Sequence, residues 1–216
     1  MRIGIIGSGR IGGTLARLLT AAEHEIALSH GSDPVALREQ IAELGPKARA
    51  ASSDEVADFG EVVILAIPWQ NRQQLPADRL KGKIVVDAMN PYRPDGGLHD
   101  LERSTSTEEV AMVLPGSRLV KAFNTLHARD LAVRGQPDRP IEERTALPIA
   151  GDDQAAKRVI AVLVEQIGFA PVDSGSLREG GRLQQPGGAL YARVVSGAEA
   201  EADLHPRGVG IGAQHA

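Results

Sequence analysis

Three glycines near the amino terminus stand at the spacing G-x-G-x-x-G: Gly7, Gly9 and Gly12, in the run Gly7-Ser8-Gly9-Arg10-Ile11-Gly12. The apolar stretch Ile3-Gly4-Ile5-Ile6 precedes them, and Ile11, Leu15, Leu18 and Leu19 follow at helical spacing. A glycine triplet alone says little, but between a buried strand and a helix it predicts dinucleotide binding. Gly7 permits the tight turn out of the strand. A side chain at Gly9 would block the backbone's approach to a pyrophosphate. Gly12 lets the helix lie close to the sheet. The helix N-terminus then offers unpaired N–H groups and a partial positive charge to phosphate oxygens. Ser8, Arg10 and Ile11 complete the turn. A strand-to-helix turn with no ligand is the bland alternative.

In folds of this type the residue ending the second strand reads the adenosine ribose. An acid there accepts from the 2′-hydroxyl of NAD, whereas NADP users place groups that bind the 2′-phosphate. Here the strand ends Leu28-Ser29-His30-Gly31-Ser32, with no acid before Asp33. Hydroxyls such as that of Ser29 donate to phosphate oxygens, a protonated His30 pairs with them, and Arg10 and Arg38 stand within reach in the sequence. This pattern favours NADP over NAD. Asp33, just before Pro34, reads as a helix cap. The plain alternative for His30 is a solvent-facing loop residue.

Three further strand ends carry polar groups in apolar settings. They are Ile67-Pro68-Trp69, Asp87-Ala88-Met89-Asn90-Pro91-Tyr92 and Ala122-Phe123-Asn124-Thr125-Leu126-His127. Apolar walls with a few orienting groups suit a nicotinamide and a second redox ring. Trp69, the single tryptophan, either covers a cofactor ring or seals the sheet edge. Asn90 and Asn124 either fix an amide or carbonyl of a ligand or cap local turns. Thr125, Leu126 and His127 are candidate acceptor contacts, His127 also reading as a plain helix-face residue. Asp87 reads as a strand-end carboxylate bonded to backbone N–H groups, and Lys121 as a strand residue pointing away from the site. The six histidines lack zinc-ligand spacing, and no G-x-S-x-G elbow or Walker lysine is present. Hydride exchange between two rings needs neither metal nor nucleophile, only closeness, alignment and exclusion of water.

The elements that must position these groups alternate regularly. Strands are predicted over residues 2–7, 25–29, 47–51, 62–67, 83–87 and 118–123, with helices between them. The run Val62-Val63-Ile64-Leu65-Ala66-Ile67 is apolar throughout, as in a parallel strand covered on both faces. Such alternation implies an α/β fold of Rossmann type, with a doubly wound, mostly parallel sheet and helices on both faces. A polar, proline-bearing surface loop follows at 134–144. A strand over 145–150, an amphipathic helix capped by Asp152 or Asp153 and a last strand over 169–173 complete a domain spanning 1–178. Residues 179–216, punctuated by Gly180, Gly181, Gly187 and Gly188, read as a C-terminal tail that is mobile or lies at a dimer interface.

Composition removes other classes. The chain is 42% hydrophobic and 24% charged, ordinary for a globular protein long enough to bury a core. A net charge of −4, with no basic run, argues against nucleic-acid binding. The chain has no cysteine, so disulfides and thiolate metal sites are excluded. With no apolar stretch of membrane-spanning length and no leader pattern, a cytoplasmic protein without membrane contact is expected. A homodimer is the default for a small enzyme with an unaccounted tail.

Taken together, Gly-Ser-Gly-Arg-Ile-Gly-Gly, Ala66-Ile67-Pro68-Trp69, Asp87-Ala88-Met89-Asn90-Pro91, Lys121-Ala122-Phe123-Asn124-Thr125, Ile149-Ala150-Gly151-Asp152-Asp153 and Asp173-Ser174-Gly175-Ser176-Leu177 occur in order. The set resembles the coenzyme F420-dependent NADP oxidoreductase family over roughly residues 1–178. A similar domain forms the cytoplasmic part of the STEAP membrane metalloreductases. The resemblance implies an NADP(H)-binding reductase that moves a hydride between NADPH and coenzyme F420, a deazaflavin, or another flavin-like ring. It implies that Ser8 to Ile11 hold the pyrophosphate and that Ser29 and His30 face the 2′-phosphate. It places Ile67, Pro68 and Trp69 beside the nicotinamide, and Asn124, Thr125 and Leu126 against the deazaflavin. His30 stands where the family usually has arginine, and Asn124 where archaeal members have histidine. Two other readings stay open: a non-enzymatic NADP(H)-binding module that senses redox state, and an NADP dehydrogenase for a small carbonyl substrate.

Overall fold

The computed structural model describes residues 1–29 and 34–205. His30, singled out for the 2′-phosphate, lies outside the described residues. Strand β1 (Arg2–Ile6) leads through the glycine turn into α1 (Arg10–Ala21), followed by β2 (Glu25–Ser29), α2 (Pro34–Leu44), β3 (Ala48–Ala50) and α3 (Ser53–Phe59). The second half runs β4 (Val62–Leu65), a 3-10 turn over Trp69–Gln74, α4 (Ala77–Leu80), β5 (Ile84–Asp87), α5 (Ser106–Val113), β6 (Arg118–Lys121) and α6 (Ala128–Val133). Then come β7 (Ala146–Gly151), α7 (Gln154–Gln166), β8 (Ala170–Gly175), α8 (Glu179–Gln184) and α9 (Gly197–Leu204).

Among the described residues, eight strands form one sheet in the order β3-β2-β1-β4-β5-β6-β7-β8. Every pairing from β3 to β6 is parallel, β7 runs antiparallel to β6, and β8 is parallel to β7. This is the doubly wound, mostly parallel sheet read from the sequence. The strands are apolar on both faces because both faces are covered. Ile3, Ile5, Ile26, Leu28, Ile64 and Val86 pack in one core with α1 and α7, whereas Ile6, Ala27, Val63, Leu65 and Val85 pack in the other with α3 and α5. The period-2 alternation of a strand divides neighbouring residues between the two layers.

The register sets out the site. Ser29, Ile6, Leu65, Asp87 and Lys121 stand side by side in one row across five strands. The chain therefore leaves all five strands at one edge of the sheet. Strand order reverses between β1 and β4, and ligands in such sheets bind in the crevice at that reversal.

Of the strand boundaries that differ from expectation, those of β4 and β6 have a local reason. Strand β4 stops at Leu65, because the following backbone swings against the glycine turn and Ala66 N donates to Ile6 O at 2.8 Å. Strand β6 stops at Lys121, because Phe123 takes φ +62°, a left-handed conformation uncommon for a bulky residue. Residues 179–205, expected as a tail, pack into the fold. Gln184 and Ala200 are fully buried and Leu190 nearly so. The glycines read as punctuation are packing residues: a Cβ at Gly180 would press on Ser174 and Ala150, and one at Gly181 on Thr107. Helix α8 thereby wedges between the β7–β8 ribbon and α5. Residues 206–216 lie outside the described residues.

Candidate functional site

The glycine turn is built for close approach. Gly7 has φ +108°, and its N–H donates to Ser29 O at 3.1 Å, tying the turn to the end of β2. A Cβ on Gly7 would run into Ala66 O, and one on Gly12 into Gly7 O. These two glycines are required by the protein's own packing. Gly9 differs. It has φ −67° and ψ −164°, open to any residue, and a Cβ there meets nothing within 4 Å. Gly9 is also the N-cap of α1, with no side-chain cap on the helix's first N–H groups and no acid in its first turn. Nothing in the described protein requires glycine here, whereas a diphosphate seated on the helix N-terminus would.

Two clefts flank this turn. A cavity of about 400 Å³ on the β2 side is lined by Gly7, Ser8, Gly9, Ser29, Ile67 and Pro68, together with Ser53, Asn71 and Gln74. Ser29 is almost fully buried, with its Oγ 3.4 Å from Ser53 Oγ at the start of α3. A capping box between Ser52 and Glu55 fixes that helix start. A cavity of about 600 Å³ lies on the β5–β6 side. Arg10, Ile11, Ala88, Asn90, Asn124, Leu126, His127 and Tyr191 are among its lining residues. Gly12 lies beneath the turn, buried.

Asn90 and Asn124 form the polar floor of the second cleft. Asn90 Nδ2 donates to Asn124 O at 2.9 Å, and Asn124 Nδ2 donates to Asn90 Oδ1 at 3.1 Å and to Gln184 O at 2.9 Å. Both neighbours of Asn124 Nδ2 are acceptors, which fixes the amide orientation. Asn124 Oδ1 is then buried with no hydrogen-bond partner among the described residues. A ligand N–H would satisfy it.

Below this floor, Lys121 and Asp87 are both fully buried, and Lys121 Nζ donates to Asp87 Oδ2 at 3.0 Å and to Met89 O. Asp87 Oδ1 accepts from Met89 N at 3.0 Å. Asp87 is thus a strand-end carboxylate bonded to backbone, as expected. Lys121 lies beneath the site and braces the loop that carries Asn90. Burial pushes the Lys121 ammonium below its ordinary range, opposed by the charge of Asp87.

Two candidates sit elsewhere than the cofactor reading placed them. The Trp69 indole is buried in the core beneath the sheet's second face. Its Nε1 donates to Ser106 O at 2.9 Å, and the Arg72 guanidinium lies 3.5 Å from its ring centroid. The 3-10 turn places this side chain against the start of α5 and away from both clefts beside the glycine turn. The Thr125 side chain is buried, and the residue does not line the cleft, although its carbonyl accepts from Ala192 N at 2.9 Å. Leu126 and His127 do line the cleft, His127 exposed at the N-cap of α6. Sequence reasoning missed Ser53, Asn71, Gln74 and Tyr191. Of these only Ser53 carried a signal, as part of a helix start opposite Ser29. Among the described residues no group of three or more His, Asp or Glu could hold a metal, and no helix is long and apolar enough to cross a membrane.

Comparison with known proteins agrees with this geometry. Residues 2–91 match the model of the family described as NADP oxidoreductase coenzyme F420-dependent. The metalloreductase STEAP3 of Rattus norvegicus is 29% identical over 179 residues, which is 82% of this chain but 34% of that protein. This chain therefore spans about a third of the length of that curated relative. The solved structure of a hypothetical protein, SMa0349, from Sinorhizobium meliloti is 35% identical, with a TM-score of 0.79 and coverage of 91% of this chain and 95% of that one. A protein assigned as an F420-dependent NADP reductase, from Arthrobacter sp. FB24, shares the fold at 24% identity, with a TM-score of 0.70 and coverage of 81% and 85%. With the glycine turn and sheet order in agreement, residues 2–91 carry the motifs of the family described as NADP oxidoreductase coenzyme F420-dependent, and the chain as a whole is similar to these relatives.

Proposed function

We propose that this protein transfers a hydride between NADPH and coenzyme F420 or a flavin-like ring. The observation that carries the nucleotide half is Gly9, a glycine with room for a side chain and no conformational need to lack one. The diphosphate would rest on the N-terminus of α1, the adenosine half would enter the cleft beside Ser29 and Ser53, and the nicotinamide half the cleft floored by Asn90 and Asn124. Bound there, NADPH would supply a hydride from its nicotinamide ring. Asn124 Oδ1 suits the carboxamide N–H of that ring, and Ile11, Ala88 and Leu126 supply apolar walls that keep water from the reacting face. Ser29, and the absence of an acid at the end of β2, support the 2′-phosphate form.

The enzyme reading is favoured over a non-enzymatic sensor by the space left in the second cleft. The described part of the C-terminal segment contributes Tyr191 to the wall and leaves about 600 Å³. Calorimetric titration with NADPH and NADH tests the first half: NADPH should bind more tightly, and binding of neither overturns the reading. Mixing protein, NADPH and oxidised F420, FMN or FAD, and following the acceptor's absorbance, tests the second. Loss of absorbance with none of the three removes this acceptor class. A homodimer acting in the cytoplasm completes the proposal, and sedimentation velocity reads its subunit count.

A further inference from the structure

The second cleft has one wall that the glycine turn and the strand ends do not supply. Tyr191, from the segment between α8 and α9, lines it directly. Backbone bonds hold this residue on both sides. Leu190 N donates to Leu183 O at 2.9 Å, and Ala192 N, on a residue with φ +56°, donates to Thr125 O at 2.9 Å. A left-handed alanine persists only where its surroundings enforce it. The Tyr191 hydroxyl lies 3.0 Å from the hydroxyl of Tyr92, which follows Asn90 and Pro91 on the opposite side and is 41% exposed. Two neutral phenols bring two protons and spend one on their mutual hydrogen bond. With Tyr92 as donor, the Tyr191 proton is left for the cleft. Burial pushes the Tyr191 phenol above its ordinary range, reinforced by the hydrogen bond and charge of Tyr92, so it stays protonated near neutral pH.

We propose that Tyr191 donates a hydrogen bond, and then a proton, to the hydride acceptor, with Tyr92 relaying the replacement proton from solvent. This rests on the hydride-transfer reading above. It adds a chemical requirement: the acceptor must carry a ring nitrogen or oxygen conjugated to the ring atom that receives the hydride. The electron count closes. The C–H bond of the dihydronicotinamide breaks with its electron pair, and a new bond to hydrogen forms at the acceptor's receiving ring atom, a carbon in a deazaflavin and a nitrogen in a flavin. The displaced π pair moves to the conjugated heteroatom, which takes the Tyr191 proton. Tyr191 regains a proton from Tyr92, and Tyr92 from water. The nicotinamide leaves oxidised and the acceptor leaves reduced.

The test compares wild type, Tyr191→Phe and Tyr92→Phe in two measurements with F420 and FMN as probes. The first is the equilibrium dissociation constant of NADPH, and of the oxidised probe on the NADP⁺ complex, by fluorescence. The second is the single-turnover rate of probe reduction. Tyr191→Phe should leave NADPH binding unchanged, weaken probe binding about tenfold and slow transfer about 100-fold. Tyr92→Phe should slow transfer by a smaller factor. Wild-type behaviour of Tyr191→Phe in both measurements overturns the proposal. So does equal weakening of NADPH and probe, which would mark a structural residue. Should Tyr191→Phe fail to fold, an unimpaired Tyr92→Phe overturns the relay and the proposal with it. A wild type that binds NADPH yet neither binds nor reduces either probe removes the acceptor reading itself, an outcome visible without any variant.

Discussion

Asn90 and Asn124 hold each other by reciprocal amide hydrogen bonds of 2.9 Å and 3.1 Å across the ends of β5 and β6. The same Asn124 amide reaches Gln184 O in α8, so three segments of the chain meet on one side chain. Asn124→Ala should leave Asn90 Oδ1 and Gln184 O without this donor, at a cost of about 1–3 kcal/mol in chemical denaturation. Asn124→Asp should be worse near neutral pH, because it puts a carboxylate between two acceptors. A milder loss for Asp than for Ala would contradict the amide orientation.

Gly9 and Gly12 make opposite predictions although they share one motif. Gly9→Ala has space and an ordinary φ, so thermal stability should be unchanged. NADPH affinity should fall at least about tenfold, or ~1.4 kcal/mol, as the methyl meets the diphosphate. Gly12→Ala should destabilise the apo-protein by about 1–3 kcal/mol or more, because its Cβ runs into the Gly7 carbonyl. Undiminished NADPH binding by Gly9→Ala would remove the diphosphate from this turn.

The sheet and the glycine turn were legible because their signals are local. Alternate residues of β1, β4 and β5 enter opposite cores, which leaves an unbroken apolar run, and the glycine spacing is set by a strand turning straight into a helix. The remaining features depend on distant contacts. Gly180 and Gly181 read as loop residues, yet they are small so that α8 can lie against β7, β8 and α5. Tyr191 is a lone aromatic in a turn-rich stretch, brought to the cleft by bonds to residues 183 and 125. The direction of Trp69 follows from the 3-10 turn after Pro68, which no periodicity announces.

Ser29 offers a test of cofactor choice within the described residues. It ends β2, lines the first cleft and faces Ser53. Ser29→Asp should repel a 2′-phosphate and offer an acceptor to a free 2′-hydroxyl. The ratio of NADPH to NADH affinity should fall about tenfold or more, read by parallel calorimetric titrations. An unchanged ratio would place the ribose away from Ser29.

The Lys121–Asp87 pair should behave as a buried ion pair does. Lys121→Met strands a buried carboxylate and should cost about 3–5 kcal/mol, whereas the double change Lys121→Met with Asp87→Leu should cost much less than the sum of the two single changes. Denaturant unfolding of the four proteins gives the coupling directly. Additive losses would mean that the pair is not energetically linked.

His24 predicts how stability depends on acidity. Its ring is almost fully buried, with Nε2 3.0 Å from Gln166 Oε1 at the end of α7. Burial holds its pKa below the ordinary 6.5, and the Gln166 bond opposes this only in part. The folded protein therefore binds this proton less readily than the unfolded chain does. The contribution is complete above pH 6.5, shrinks as the pH falls below 6.5, and is gone once the pH passes the lower folded value. Thermal melts across about pH 5–8 should show wild-type stability falling on the acid side more steeply than that of His24→Gln, which has no proton to take up. Parallel curves for the two proteins would show that His24 does not govern this part of the acid response.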